Sequence, residues 1–152
     1  GTPTLSDPGY RLIKDAAAAG IRVVPIPGPS AAIAALSVSG LPTDAFLFLG
    51  FPPKKRAKRL KFLKRIADQD RTLIFYESPK RVADLLADLQ EIVGARRAVL
   101  CREMTKTYEE FVRGRLSGIA EEVRKRNELK GGCTLLVEGA EQQEEISPAA
   151  AR

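Results

Sequence analysis

Apolar positions along this chain follow two rhythms, and the changes between them predict its elements. A helical stretch over about 8–19 is expected to stop at Gly20, with Asp7 as its cap and Pro8 at its first turn. The continuous apolar run Ile21–Ile26 predicts a strand, and Pro27-Gly28-Pro29 a rigid turn. Ser30 is placed to cap a helix of small residues that runs to Ser39 and is stopped by Gly40 and Pro42. Strands are predicted at Ala45–Gly50 and Arg71–Glu77, on either side of a helix over Lys54–Asp68. Ser78-Pro79 reads as a cap and first helical position. After it, Val82, Leu85, Leu86, Leu89, Ile92 and Val93 recur at helical spacing as far as Gly94. Two strands at about 96–103 and 109–115, a helix at about 118–129 and a strand at about 133–138 complete the pattern. Residues 141–152 read as a disordered tail.

Helices alternating with apolar strands predict an α/β fold, a mixed β-sheet flanked by helices. The pattern breaks at Leu41-Pro42-Thr43. This divides the chain into residues 1–40, the end of a preceding α/β domain, and 41–140, a second domain. Gly1 falls inside a tight loop, so the sequence is expected to be a piece of a larger protein with part of its site elsewhere.

Composition narrows the chemistry. The 44% of hydrophobic residues are enough for a core, and no apolar run is long enough to span a membrane. The chain has no histidine and two cysteines, so no zinc site is expected and acid–base chemistry falls to carboxylate, lysine, tyrosine or serine. Cys101 and Cys133 sit in strand-like runs and are expected to be buried free thiols in a cytoplasmic protein. The net charge of +6 favours a polyanionic partner.

Four segments stand out, each with a purely structural alternative. Gly1-Thr2-Pro3 and Pro27-Gly28-Pro29-Ser30 sit where α/β proteins bind ligands, although ordinary turn chemistry also explains them. The run from Lys54 to Arg65 holds eight basic residues and no acidic one, with Leu60, Leu63 and Ile66 or Ala67 as a narrow apolar stripe. It suits a phosphate backbone, the alternative being a solvated face. Glu77, with Ser78, Pro79, Lys80 and Arg81, marks a strand end at a helix start, where Glu77 could simply cap the helix. Arg102, Glu103, Lys106, Glu109 and Glu110 place five charges within nine residues, as a reacting site or as a surface ion-pair cluster.

The segments GTPTLSDPGYRLI at 1–13, PGPSAAIAALSVSGLPTDAFLFLGFPPKK at 27–55, TLIFYESPKR at 72–81 and CREMTKTYEEFVRGRL at 101–116, with the glycine-flanked strand near 130–139, together resemble the tetrapyrrole methylase superfamily. The YESPKR and CREMTK forms point to its branch that modifies ribosomal RNA. The resemblance implies a two-domain, homodimeric enzyme that binds S-adenosylmethionine between its domains. It further implies methylation of the ribose 2′-hydroxyl of a cytidine in 16S rRNA of the small ribosomal subunit. On the same basis Gly1, Thr2, Pro3, Pro29 and Ser30 would line the cofactor from one side. Tyr76, Glu77, Met104 and Thr105, with Glu103, would close over it from the other. Glu103 and Glu77 are the candidate proton acceptors and Lys106 a third candidate catalytic residue. Lys54, Lys55, Lys58, Arg59, Lys80, Arg81 and Arg102 are the candidate RNA contacts. The glycine-rich cofactor loop usual in the family is not in this sequence, and Gly132 stands where a glutamate is usual. A non-catalytic RNA-binding module and a small-molecule tetrapyrrole methylase are the alternative readings.

Overall fold

Along the strand Thr72–Glu77 (β2) successive side chains go to opposite faces, Leu73 and Phe75 to one and Ile74 and Tyr76 to the other. Both faces are covered, which is why this strand reads as an unbroken apolar run. The computed structural model describes residues 1–142, and the sequence expectation for a disordered tail falls, from 143 on, outside the described residues. Five strands form one sheet: β1 (Phe46–Gly50), β2, β3 (Arg97–Arg102), β4 (Glu110–Arg115) and β5 (Cys133–Val137). The order is β1-β2-β5-β3-β4, so the strand latest in sequence lies at the centre. β1 and β2 are parallel, and β5 is antiparallel to both β2 and β3. β1, β2 and β3 therefore point the same way, and their carboxyl ends share one end of the sheet.

Helices α3 (Arg56–Ile66), α4 (Val82–Val93) and α5 (Leu116–Arg124) cover one face, with Leu63, Leu85, Leu89, Leu116 and Ile119 packed on Phe75, Leu100 and Leu135. On the other face α2 (Ala31–Val38) sets Ala32, Ala35 and Leu36 against Ile74, Val99, Cys101 and Leu136. Small residues let α2 approach the sheet closely. Its amino end is capped by the Ser30 hydroxyl, which accepts from the Ile33 N–H at 3.4 Å. Arg113 donates to the carbonyls of Val38 and Ser39 at 2.6 and 2.7 Å and so closes the other end.

Three sequence expectations need correction. Ile21–Ile26 is not a strand: no strand among the described residues pairs with it, and Ile21, Val24 and Ile26 stand 59–69% exposed. An apolar run is necessary for a buried strand, but only a partner edge makes one. α1 (Tyr10–Ala18) starts later than Asp7-Pro8 suggested, because Gly9 at φ 128° breaks the chain direction just before it. The helix predicted from Ser78-Pro79 starts at Val82; the Ser78 carbonyl instead accepts from both Arg81 and Val82, forming a turn ahead of α4. Residues 1–40 supply no strand to the sheet, and α1 buries none of its residues.

Candidate functional site

At the shared carboxyl end of β2 and β3, next to the first residue of β5, lies a cavity of about 480 Å³. Register places Tyr76 and Cys101 on either side of Thr134, and Glu77 and Arg102 on either side of Cys133. Ala31 of α2, Phe51, Tyr76 and Met104 supply apolar lining, and Glu77, Glu103 and Lys106 supply charge. The predicted residues Tyr76, Glu77, Glu103, Met104 and Lys106 thus converge. Phe51 and Thr134 join them without having been singled out in the sequence, and so do Ser78 and Gly132, which were named there but given no binding role.

Tyr76 is the hinge between this cavity and a neighbouring one of about 290 Å³, lined by Gly1, Thr2, Pro29, Ser30 and Tyr76 itself. Its hydroxyl accepts from the Ala32 N–H at 3.0 Å, and its ring meets Phe48 and Phe51 edge-on at 4.9 and 5.8 Å. The two glycine-bearing loops are stitched together. The Thr2 hydroxyl donates to the Gly28 carbonyl at 2.5 Å, and the Thr2 N–H donates to the Pro29 carbonyl at 2.9 Å. A Cβ on Gly28 would run into the backbone of Gly1 and Thr2, so close approach of the loops requires glycine there. Pro3 and Thr105 lie on the same loops but line neither cavity.

The two candidate carboxylates differ. Glu77 is buried and its Oε1 is engaged, accepting from the Ser78 N–H at 2.8 Å and from Arg81 at 3.1 Å. That is the capping role foreseen as its structural alternative, and it occupies Arg81 as well. Glu103 is freer: among the described residues its carboxylate has one ion-pair partner, Lys106 at 3.5 Å. Its backbone has φ 48° and that of Thr105 φ 65°, both left-handed in non-glycine residues, a strained pairing of the kind functional loops hold. The loop is fixed by the Glu109 carboxylate, which accepts from the Thr105 N–H at 2.6 Å. Gly131 faces Glu103 so closely that a Cβ there would overlap the carboxylate.

The candidate RNA contacts separate by exposure. Lys54, Lys55, Lys58 and Lys80 are exposed. Arg59 corrects the expectation of a wholly solvated run: it is buried, bound to Asp88 at 2.6 Å and to the carbonyls of Lys54 and Pro53. The outward field of α3 therefore consists of Lys58, Lys61, Lys64 and Arg65, which with Pro53 border a shallow cavity. Arg102 donates to the Lys130 carbonyl at 2.8 Å and pairs with Glu110 at 3.5 Å. Hydrogen bonds from Arg126, with further help from Arg102, hold the Glu110 carboxyl below its usual range.

Both cysteines line the main cavity as free thiols. Burial pushes Cys101 up to about 12 and Cys133 up to about 11, so neither is thiolate at neutral pH. Iodoacetamide at pH 8 is expected to label neither in the folded protein and both after denaturation, as read by mass spectrometry. Rapid native labelling would show that the cavity floor opens.

A mixed sheet covered by helices on both faces, with a ligand-sized cavity at its parallel strand ends, defines a three-layer α/β protein with a candidate binding site. Residues 1–120 match the family described as Tetrapyrrole (Corrin/Porphyrin) Methylases, and the chain belongs to that family. It is 49% identical over 95% of its length to the ribosomal RNA small subunit methyltransferase I of Xylella fastidiosa, covering 54% of that protein. With the protein of the same name from Haemophilus influenzae it shares 46% identity over its whole length and 56% of the relative. The chain thus spans about half the length of the curated relatives it matches. Among solved structures, the methyltransferase CobJ superposes with TM-score 0.67 at 22% identity, over 95% of this chain and 64% of that one. A Thermus thermophilus uroporphyrin-III C-methyltransferase, solved with S-adenosylhomocysteine, gives 0.60 at 18% identity, over 90% and 62%. These likenesses fix the fold. Among the described residues no helix is long and apolar enough to cross a membrane.

Proposed function

We propose that the protein carrying this chain is an S-adenosylmethionine-dependent methyltransferase acting on the ribose 2′-hydroxyl of a cytidine in 16S rRNA of the small ribosomal subunit. The observation that supports this best is the convergence of Tyr76, Glu77, Glu103 and Met104 on one cavity at the parallel strand ends. The names of relatives at 46–49% identity supply the RNA substrate. In this reading residues 1–40 belong to the amino-terminal cofactor-binding unit and 41–140 to the carboxy-terminal one, and the enzyme works in the cytoplasm.

The residues present suit the cofactor. The cavity is within the range that encloses a molecule of that size. Its walls offer apolar surface from Phe51, Tyr76 and Met104, and the Ser78 hydroxyl is buried beside it with no hydrogen-bond partner among the described residues. Gly1, Thr2, Pro29 and Ser30 would hold the cofactor from one side, and Tyr76, Glu77 and Met104 from the other. When bound, the cofactor supplies a methyl group already activated on a sulfonium. The protein's work is then alignment of the acceptor and removal of one proton. Glu103 takes that proton from the 2′-oxygen, being the less engaged of the two carboxylates. Lys106, 3.5 Å away, orients the Glu103 carboxylate and raises the local positive potential. Glu77 acts by holding the turn ahead of α4 against Arg81. The exposed lysines of α3 bind the RNA backbone.

Transfer of a labelled methyl group from S-adenosylmethionine to unmodified small subunits, in the full-length protein, tests this reading. Glu103→Gln is expected to lower turnover by about a hundredfold with RNA binding kept. Replacing Lys55, Lys58 and Lys61 together by Ala is expected to weaken RNA binding and flatten its salt slope by about two to three units. Label appearing only on a tetrapyrrole, or no transfer at all, would sink it.

A further inference from the structure

On the far side of Glu103 from the main cavity lies a larger one, of about 700 Å³, bounded by Arg102, Tyr108, Glu110 and Lys130. Among the described residues Glu103 alone lines both. An enzyme that joins two substrates needs two binding spaces meeting at the group that handles the proton. This loop provides that arrangement.

The second space differs in kind from the first. At its edge Tyr108 is 81% exposed, the most exposed of the large hydrophobic side chains among the described residues. The backbone that carries it is nevertheless held: the loop is closed by the Lys106 N–H on the Glu103 carbonyl at 3.1 Å and the Glu109 N–H on the Lys106 carbonyl at 3.2 Å. An aromatic ring this exposed on a closed loop is a stacking platform, and every nucleobase has a face to stack. The carboxylates of this space are already compensated. Arg126 and Arg102 hold Glu110, the Thr105 N–H holds Glu109, and Lys130 lies 3.7 Å from Glu128. Their remaining lone pairs accept from hydroxyl and amino groups and repel phosphate. Base and ribose therefore suit the interior, and the phosphates belong outside it.

We propose that this cavity receives the nucleotide to be methylated, its base stacked on the Tyr108 ring and its ribose hydroxyl turned towards Glu103. The proposal rests on the reading of the protein as an RNA methyltransferase and assigns the acceptor its place. Tyr108 is a binding and positioning residue with no part in proton transfer.

The test uses a short cytidine-containing single-stranded oligoribonucleotide, end-labelled for fluorescence anisotropy, with the full-length protein and its Tyr108→Ala and Tyr108→Phe variants. Loss of the ring is expected to weaken oligonucleotide binding about tenfold, with Tyr108→Phe close to the parent. S-adenosylmethionine affinity, measured by calorimetry, is expected to stay unchanged in both variants. Because the side chain is exposed, thermal unfolding is expected to be the same for all three proteins. Equal oligonucleotide affinity in parent and Tyr108→Ala overturns the proposal, as does a Tyr108→Phe loss equal to that of Tyr108→Ala or a parent that does not bind the strand. Failure of the broader reading looks different: the strand binds through Tyr108, yet no methyl group reaches small-subunit RNA.

Discussion

Gly131→Ala is expected to cost about a hundredfold in methyl transfer while leaving RNA binding by the α3 lysines intact. Two effects combine at this position. The residue has φ 79°, where a side chain is strained by about 1 kcal/mol or more. A Cβ would also occupy the space that the Glu103 carboxylate now fills. The carboxylate must then swing away, and a displacement of about an ångström at a reacting group is enough for a hundredfold loss. Gly118→Ala, in α5 and away from both cavities, is the control, since a Cβ there meets nothing within 4 Å. Single-turnover rates for both variants, and for Gly131→Ala combined with Glu103→Gln, check the assignment. If Glu103 is the group displaced, the double variant is little worse than Glu103→Gln alone. A Gly131→Ala enzyme with normal turnover would remove Glu103 from its proposed role.

Asp88→Ala is expected to destabilise the fold by about 3–5 kcal/mol, because it leaves the buried Arg59 guanidinium without its counter-charge. For a chain of this size that is a fall of roughly 10 °C or more in Tm. The side chains of Arg59 and Asp88 are only 5% and 4% exposed, so solvent can compensate little. The carbonyls of Lys54 and Pro53 satisfy part of the guanidinium but carry no full charge. Arg59→Met with Asp88→Leu, which removes both charges and keeps the volume, is expected to recover most of the loss. Arg56→Ala is expected to cost under about 1 kcal/mol, since Arg56 reaches the same carboxylate from a 61% exposed position. Urea melts of the three variants decide the matter. An Asp88→Ala protein within 1 kcal/mol of the parent would mean that the pair does not anchor α3 to α4.

The buried pair also shows where the sequence was legible and where it was not. The run 54–65 announces a basic helix, but its eight cations look alike in sequence. The sign that one points inward lies elsewhere. Asp88 falls on the apolar face of α4, between Leu85 and Leu89, and a carboxylate there needs a buried partner. The strand β2 and the helix α4 were readable because burial on one or both faces leaves a clear apolar period. Ile21–Ile26 has the same composition and failed as a strand, since pairing is a property of two segments. At the site, Tyr76, Glu77, Glu103 and Met104 were identifiable from their motifs at strand ends. The left-handed backbone at Glu103 and Thr105 was not, because neither residue type advertises it. Gly131 gave a signal that the sequence alone could not aim, as its partner is 28 residues away and joined only through the sheet.

The central place of β5 makes assembly of this molecule order-dependent. Ribosomal synthesis delivers β1 to β4 first, as two ribbons whose inner edges carry unpaired backbone groups. Only Cys133–Val137 joins them, threading Leu135, Leu136 and Val137 into a slot where each is completely buried. Contacts so distant along the chain close slowly, and until they close the nascent protein exposes two sticky seams. Cys133 and Thr134 also form part of the cavity wall. The pocket therefore does not exist until β5 has been made, and ligand binding can select only molecules whose translation has passed this strand.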